Sequence, residues 1–472
     1  MNSPQGSMRE NGSWTPASWR LREAQQQPCY DDRAQLENVA RRIGKLPPLV
    51  TSGEIQELKR ALADAQEGRR FLLHGGDCAE SFGDCDADTI VNRLKVLFQM
   101  SLILGHGLKQ PVIRVGRFAG QYAKPRSSDR ETVGGETLPS FRGDIVNAAA
   151  FDAAARRPDP ERMFQAYAFS ALTLNFTRAL FEGGFGDLRH PEYWQLDWID
   201  QSPRAIEYRR EVEEIANSWR FLHTLGGQVG TERVSAGFYT SHEALLLPFE
   251  EAVTRRVPHR RGWFNLSTHL PWIGMRTSDI DGAHIEYFRG LQNPVAMKVG
   301  PSTRPADLLR LIEVLNPHEE PGRMTLITRM GCKHIAEALP PLLAAVRRAG
   351  RHVLWVVDPM HGNTETTPTG IKTRHFDNIR SELEAAFQIH GAEGTRLGGV
   401  HLEMTGEDVT ECLGGARSLQ EQDLSRAYKT TVDPRLNYEQ AMELAMLITK
   451  VARAAPKVTG RAAAGPRPVA VI

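Results

Sequence analysis

The feature of this chain that most restricts its fold is a series of eight short apolar runs that alternate with helical patterns. Several runs are apolar at successive rather than alternate residues, as strands covered on both faces are. Eight strands alternating with helices predict a (β/α)8 barrel, a TIM barrel, with an open two-layer sheet as the alternative. The predicted strands are Phe71–Cys78, Val112–Arg117, Gly237–Leu245, Trp263–Leu270, Val295–Gly300, Met324–Gly331, Val353–Asp358 and Gly399–Thr405.

A barrel of this kind takes about 250 residues, so a chain of 472 residues must carry additional segments. Between strands two and three, helical patterns at Asp159–Glu182 and Pro203–Thr224 predict an inserted layer. We expect this layer to be a packing or subunit surface, with a regulatory site as the alternative. The predicted divisions are an N-terminal helical extension at 1–65, a catalytic barrel at 66–455 with a helical insertion at about 140–230, and a disordered tail at 456–472.

Composition excludes several classes of function. The net charge is +1, which gives no reason to expect nucleic acid as a partner. No run of 18 apolar residues is present and the start lacks a signal peptide, so we expect a cytoplasmic protein without a membrane partner. The five cysteines are far apart and form no CxxC pair, which argues against a disulfide or zinc-ribbon framework.

Polar side chains follow the predicted strands, where a barrel places its chemistry. The clearest case is VVDPMHGNT, in which the seventh run leads directly into groups that bind a metal or a proton. A strand that only ends needs no such cluster. The residues delivered at the strand ends are Asp77, Cys78, Arg117, Lys124, Arg126, Ser127, His242, Glu243, His269, Trp272, Arg276, Lys298, Arg329, Asp358, His361 and Glu403, followed by Asp433 and Arg435.

One subset of these residues has the chemistry of a metal site: Cys78, His361, Glu403 and Asp433. One sulfur, one nitrogen and two carboxylates suit manganese, cobalt, iron or zinc better than calcium or magnesium, which prefer all-oxygen shells. Singly, the cysteine reads as a buried thiol and the histidine and aspartate as turn residues. Glu403 lies on an otherwise apolar strand, where a buried carboxylate requires a cation or a hydrogen bond.

A second subset is cationic: Arg117, Lys124, Arg126, Arg276, Lys298 and Arg329. Each cation by itself is explained by a neighbouring carboxylate. Six cations facing one barrel mouth in a nearly neutral chain predict a polyanionic ligand, such as two phosphates and a carboxylate. No Walker A or dinucleotide glycine motif is present, so a nucleotide is not the expected source of phosphate.

Eight segments in one order resemble the type II 3-deoxy-D-arabino-heptulosonate 7-phosphate (DAHP) synthases, and the resemblance runs from about Trp14 to Ala454. The early SWTPASWR resembles the plant-like branch of that family. These segments are FLLHGGDCAESF, GQYAKPRSS, TSHEALLLPFE, WIGMRTSDIDGAH, DPMHGNT, KTRHFDNI, HLEMTGEDVTECLGG and DPRLN.

The resemblance implies a metal-dependent transferase that condenses phosphoenolpyruvate with erythrose 4-phosphate and water to give DAHP and phosphate. This reaction is the first step of the shikimate pathway to chorismate and the aromatic amino acids. The expected metal is Mn2+ or Co2+, with Zn2+, Fe2+ or Cd2+ as alternatives, held by the four residues named above. His361 must present a neutral nitrogen, whose tautomer a neighbouring polar group would fix.

The same resemblance assigns the anion contacts. Arg117 and Lys124 are expected at the phosphoenolpyruvate carboxylate. Arg126 and Ser127 are expected at the erythrose 4-phosphate phosphate. The proton of the new alcohol comes from Lys124, Asp433 or a metal-bound water, and the sequence does not choose among them. The phosphoenolpyruvate phosphate is expected at Arg276, Lys298 and Arg329.

The chain departs from the family pattern in two places. Family members often have Gly-Glu-Arg-Thr where this chain has Met275 before Arg276, so we expect Met275 to bind phosphate through its main-chain N–H. The family also often has cysteine where this chain has Val432 and Val357. Cys78 therefore has no thiol at position 432 to pair with.

The family further implies a homo-oligomer, a dimer or tetramer, with aromatic feedback effectors. Three alternatives remain open from the sequence: a paralogue of a specialised-metabolite pathway, a barrel metallohydrolase and a non-catalytic relative. A metallohydrolase usually shows several metal histidines, and a non-catalytic relative would not need both residue sets. The native metal, the effector and the number of subunits are not fixed by the sequence.

Overall fold

The computed structural model describes residues 14–182, 199–200, 204–224 and 237–454. In chain order its strands are β1 (Phe71–Gly76), β2 (Val112–Arg117), β3 (Arg130–Val133), β4 (Glu136–Pro139), β5 (Phe238–Glu243), β6 (Thr254–Arg255), β7 (Phe264–Asn265), β8 (Leu270–Ile273), β9 (Val295–Val299), β10 (Met324–Thr328), β11 (Leu354–Val357), β12 (Thr364–Thr366), β13 (Lys372–Arg374) and β14 (Leu397–Glu403). The α-helices are α1 (Arg33–Gly44), α2 (Ser52–Gln66), α3 (Ala87–Leu108), α4 (Glu161–Glu182), α5 (Ala205–Thr224), α6 (Leu247–Val253), α7 (Ala283–Phe288), α8 (Pro305–Leu315), α9 (Ile335–Arg348), α10 (Phe376–Ala392) and α11 (Tyr438–Ala454). Short 3-10 helices cover Ser18–Leu21, Phe82–Asp84, Met275–Thr277, His361–Asn363 and Glu421–Arg426.

Eight strands form a closed parallel barrel in the order β1-β14-β11-β10-β9-β8-β5-β2. Strand β1 closes it by pairing with β14 on one side and β2 on the other. The predicted (β/α)8 barrel is therefore confirmed, and the open-sheet alternative is wrong. Full burial of β1, β9, β10, β11 and β14 explains why these runs are apolar at successive residues.

The predicted fourth strand is wrong in its position. It was expected at Trp263–Leu270, but the barrel strand is β8, and Phe264–Asn265 pairs antiparallel with β6 instead. Pro271 accounts for the difference in position. Proline usually ends a strand, yet here Pro271 lies within β8. As a result His269 precedes the barrel strand, where its Nδ1 accepts a hydrogen bond from Thr240 N at 2.9 Å.

Alternation along each strand sorts the barrel interior into layers. The side chains that open the strands form an apolar cluster, which includes Leu72, Leu270 and Leu354 and packs against Leu58 and Leu62 of α2. Helix α2 therefore closes the amino-terminal end of the barrel. It begins with a capping box between Thr51 and Glu54.

On several strands, the next inward-facing position after the apolar cluster, towards the carboxyl end of the strand, carries a charged side chain. On β9, Ala296 lies in the apolar cluster and is followed by Lys298. After β10, Ile327 is followed in the same way by Arg329. The same period of two places Glu403 at the end of β14. The floor of the barrel is thus apolar and its carboxyl end is ionic.

The helices predicted at 159–182 and 203–224 are both present, within a few residues of their expected ends. The predicted tail at 456–472 and part of the predicted insertion lie outside the described residues. The division of the chain into domains therefore stays a prediction. None of the described helices has the length and apolar character needed to cross a bilayer.

Candidate metal centre and anion-binding cavity

The carboxyl ends of the barrel strands surround a cavity of about 220 Å3. Every residue that the sequence analysis assigned to the site lines this cavity: Cys78, Arg117, Lys124, Arg126, Ser127, Met275, Arg276, Lys298, Arg329, His361, Glu403 and Asp433. The structure adds side chains that had no predicted role, namely Gln121, Glu243, Thr364 and Lys372.

The four predicted metal ligands come together. The ligand atoms of Cys78, His361, Glu403 and Asp433 all lie within 4.8 Å of one another. The strand register brings Cys78 close to Glu403, because Gly76 at the end of β1 pairs with Glu403 at the end of β14 and Cys78 follows two residues later. The loop of Asp433 is held to β14 by a hydrogen bond from Leu436 N to Glu403 O at 2.9 Å.

The turn after β11 fixes the orientation of His361. One oxygen of Asp358, Oδ1, accepts hydrogen bonds from Met360 N at 2.9 Å and His361 N at 3.1 Å. The other oxygen lies 2.7 Å from His361 Nδ1 and is also paired with Lys298. Asp358 therefore accepts the Nδ1 proton of His361, which leaves Nε2 to face the other three predicted metal ligands.

Glu403 is fully buried and is surrounded by positive partners. Its Oε1 lies 3.2 Å from Arg117 Nη2 and 3.0 Å from His361 Nε2, and its Oε2 lies 2.7 Å from Arg374 Nη2. Burial would raise the pKa of Glu403, but His361, Arg374 and Arg117 bring it well below its ordinary value. The carboxylate is therefore ionised and available to a cation.

Lys124 reaches the two remaining ligands. Its Nζ lies 2.7 Å from Cys78 Sγ and pairs with the Asp433 carboxylate. Burial and Glu403 raise the pKa of the Cys78 thiol, which Lys124 partly opposes. A divalent cation would displace the thiol proton on binding. A thiol, an imidazole nitrogen and two carboxylates fit a first-row metal and do not fit calcium or magnesium.

The cations divide into paired and unpaired groups. Lys298 pairs with Asp358, Lys124 with Asp433, Arg117 with Glu403 and Arg126 with Glu131. Within the part of the chain that the structure describes, Arg276 and Arg329 have no carboxylate within salt-bridge distance. Arg329 Nη2 instead donates to His361 O at 3.1 Å. Two unpaired guanidinium groups beside one cavity favour an anionic ligand.

Glu243 is the carboxylate whose role the sequence analysis missed. It ends β5, is 4% exposed, and its Oε1 has no hydrogen-bond partner. Burial raises the pKa of Glu243 to about 7, and Lys124, Lys298 and Arg117 oppose a larger rise. A Cβ on Gly274 would lie 2.0 Å from Oε1, so this approach requires glycine.

Some strand-end residues lie outside the cavity. His242 turns towards α6, where its Nε2 lies 3.0 Å from Glu250 Oε1. Arg435 pairs with Asp77 at 2.6 Å and with Glu411 at 2.8 Å. The Asp77–Arg435 pair joins the segment of Cys78 to the loop of Asp433, so it ties together the segments that carry two of the predicted metal ligands.

Comparison with known proteins gives one family. A family model described as the class-II DAHP synthetase family matches residues 14–449. The chain is 46% identical over 451 residues to a phospho-2-dehydro-3-deoxyheptonate aldolase of Neurospora crassa, covering 92% of this chain and 93% of that protein. It is 44% identical to the enzyme of that name from Streptomyces coelicolor (94% and 100% covered) and 42% identical to phospho-2-dehydro-3-deoxyheptonate aldolase AroG of Mycolicibacterium smegmatis (91% and 93% covered).

Cobalt binding tests the sulfur ligand directly. Titration of metal-free protein with Co2+ is expected to produce a thiolate-to-cobalt charge-transfer band in the near ultraviolet, because Cys78 Sγ lies among the other three ligand atoms. Cys78→Ser should abolish the band, whereas Cys29→Ser, at an exposed cysteine, should leave it unchanged. A full band in the Cys78→Ser protein would remove Cys78 from the ligand set.

Proposed function

The chain belongs to the class-II DAHP synthetase family, and from this premise we propose how its cavity carries out the family's reaction. The protein is a DAHP synthase, which condenses phosphoenolpyruvate with erythrose 4-phosphate and water to give DAHP and phosphate at the start of the shikimate pathway. The observation that carries the detailed proposal is the position of four metal-ligand atoms beside a group of cations in one cavity. No observation favours a specialised-metabolite paralogue, a metallohydrolase or a non-catalytic relative.

We assign phosphoenolpyruvate to the cavity with its carboxylate innermost, beside the buried Arg117 and Lys124. Its carboxylate binds Arg117 and Lys124, and its phosphate binds Arg276, Lys298 and Arg329. The lack of a carboxylate partner within salt-bridge distance of Arg276 and Arg329, among the described residues, supports this assignment. A bound phosphate would supply the bidentate acceptor that these guanidinium groups lack.

Erythrose 4-phosphate binds nearer the mouth in this proposal. Arg126 is half-buried and Ser127 is exposed, so both are open to a substrate that enters second.

Met275 opens the 3-10 helix after β8, and its main-chain N–H is the part of this residue that contacts phosphate. A methionine in place of glutamate is compatible with that role because the main chain is unchanged.

Cys78, His361, Glu403 and Asp433 hold the metal, for which Mn2+ or Co2+ is our choice over Zn2+, Fe2+ or Cd2+. When bound, the metal supplies Lewis-acid polarisation of the aldehyde. His361 contributes Nε2 because Asp358 occupies Nδ1. Arg374 holds Glu403 Oε2 at 2.7 Å, which leaves Oε1 to face the other ligands.

Two side chains move the protons. Burial lowers the pKa of Lys124, but Cys78, Asp433 and Glu403 raise it above its ordinary value, so Lys124 is an ammonium that protonates the new alcohol oxygen. Asp433 is the weaker choice because, despite burial, Lys124 holds its pKa below the ordinary value. Glu243 has an unpartnered oxygen in the cavity and accepts the proton of the water that adds to the substrate.

The bond changes follow in order. The enol carbon of phosphoenolpyruvate attacks the aldehyde carbon while Lys124 protonates the aldehyde oxygen. A cation develops at the adjacent carbon, and water adds there as Glu243 takes its proton. The resulting phosphohemiketal loses phosphate, whose charge Arg276, Lys298 and Arg329 stabilise in place.

The remaining proposals concern the setting of the enzyme. We propose a cytoplasmic homo-oligomer, a dimer or tetramer, that is subject to feedback by aromatic compounds.

The reaction itself is tested with metal-free protein. Addition of Mn2+ or Co2+ to protein with both substrates is expected to cause loss of the enolpyruvate ultraviolet absorbance, and omission of either substrate should prevent it. Cys78→Ala should lower turnover by about 100-fold or more, because a metal ligand is lost. Absence of turnover with any divalent metal would contradict the proposed substrates.

The base is tested by pH. The ascending limb of kcat/KM against pH is expected near the Glu243 pKa of about 7, since the carboxyl must lose its proton to act as a base. Glu243→Gln should lower kcat by about 100-fold or more and remove that limb. Glu136→Gln, at an exposed glutamate of the β3–β4 hairpin, is the matched control and should retain both. A limb that persists in Glu243→Gln would assign it to another group.

A further inference from the structure

A buried carboxylate behind the cavity has no part in the chemistry derived above. Glu382 lies on α10, is fully buried and does not line the cavity. Its Oε1 accepts hydrogen bonds from Met330 N and Gly331 N, both at 2.9 Å, and its Oε2 accepts one from Asn363 Nδ2 at 2.7 Å. These donors belong to two different strand-end loops, the one after β10 and the one after β11.

We propose that Glu382 is a positioning residue that fixes the metal ligand His361 relative to the phosphate-binding Arg329. This inference rests on the proposed function, which assigns those two roles. Arg329 directly precedes Met330 in the first loop, and Asn363 lies two residues after His361 in the second. Glu382 therefore holds the residues next to both functional side chains without touching either side chain itself.

The two loops pack too closely to move independently. A Cβ on Gly362 would lie 2.3 Å from Gly331 N, so the two glycine backbones are in direct contact. Cys332 N donates to Asn363 Oδ1 at 3.0 Å, and Arg329 Nη2 donates to His361 O at 3.1 Å. A displacement of one loop would displace the other, and Glu382 is the side chain that clamps both.

The clamp requires a carboxylate. Asn363 cannot reverse its amide, because its Oδ1 accepts from Cys332 N and its Nδ2 also donates to Pro359 O at 2.9 Å. Every group that faces Glu382 in these hydrogen bonds is therefore a donor. Glutamine has one acceptor oxygen, so it can satisfy either the Met330–Gly331 amides or Asn363, but not both.

Burial of this carboxylate is costly, which argues that it has a use. No cation lies within salt-bridge distance of Glu382 among the described residues, and burial raises its pKa, so the ionised form depends on the three N–H donors that face its two oxygens. Hydrogen bonds from the two backbone amides and Asn363 oppose that rise. The cost of burying Glu382 is explained by its role in holding the loops after β10 and β11 together.

The test uses Glu382→Gln and two binding measurements that do not depend on turnover. The dissociation constant of phosphoenolpyruvate for metal-free protein is measured by calorimetry, and that of Co2+ is measured from the charge-transfer band. Both are expected to rise by about tenfold or more, as for other losses of a supporting hydrogen bond at a metal site. The KM for erythrose 4-phosphate should stay within about twofold, because Arg126 and Ser127 belong to another loop.

Glu384→Gln is the matched control, since it makes the same change on the same helix and should leave all three constants unchanged. Asn363→Ala is the second variant and keeps the test decisive if Glu382→Gln does not fold. Asn363→Ala should weaken Co2+ binding. Adding Glu382→Gln to it should have little further effect, because both substitutions remove the same hydrogen bond between Asn363 and Glu382.

Three results would overturn the inference. Unchanged binding constants in Glu382→Gln would show that the clamp is not needed. A parallel loss in erythrose 4-phosphate KM would indicate a general structural defect instead. Additive effects of Glu382→Gln and Asn363→Ala would show that they do not act through one link. If the wild-type protein itself bound no phosphoenolpyruvate, the proposed function would fail first, and that outcome is separate from these three.

Discussion

One buried carboxylate organises the carboxyl end of this barrel. Glu403 has no contact with water, yet it is bonded to Arg117 from β2, to Arg374 from β13 and to His361 from the turn after β11. An ionised group in such a place is unstable unless its partners are fixed around it. The same side chain is therefore both a proposed metal ligand and the junction of several strand ends. Loss of any of these partners would leave the buried Glu403 carboxylate less well compensated for its desolvation and would therefore be destabilising.

The layer beneath the cavity shows how that junction is oriented. Arg117 Nη1 lies 2.7 Å from His401 Nε2, and a guanidinium can only donate, so His401 carries its proton on Nδ1. That nitrogen lies 2.9 Å from His74 Nδ1, which must accept. Burial, together with Arg117 and Lys298, lowers the pKa of His74 and keeps it neutral. These neutral imidazoles thus orient Arg117, which lines the cavity, without adding charge of their own.

Much of this arrangement is predictable from the sequence because it follows from two periodicities. Alternation of strands and helices predicts the barrel, and alternation within each strand places Lys298, Arg329 and Glu403 on the inner face. Every residue assigned to metal or substrate lines the cavity, whereas other strand-end residues, such as His242 and Arg435, lie outside it. The family resemblance added which of these residues bind the metal and which bind each substrate group, and position alone does not provide that assignment.

The failures have physical causes. The fourth strand was displaced because Pro271 lies inside it, where proline usually marks an end. Arg374 and Glu382 were missed because each binds partners far away in the chain, and the role of Glu243 was missed because its unpartnered, buried oxygen is evident only in the packed structure. The pairing of Glu382 with Met330 spans 52 residues and follows no spacing rule. Supporting residues of this kind are defined by the packed structure and have no local sequence signal.

The most direct measurement is the structure of crystals soaked with Mn2+ and phosphoenolpyruvate, with anomalous scattering recorded at the manganese edge. The account predicts one strong anomalous peak at bonding distance from Cys78 Sγ, His361 Nε2, Glu403 and Asp433, with the phosphate on Arg276, Lys298 and Arg329. A peak instead among Asp358, His361 and His401, the other close group of ligand atoms among the described residues, would contradict it. So would phosphoenolpyruvate bound away from the three cations.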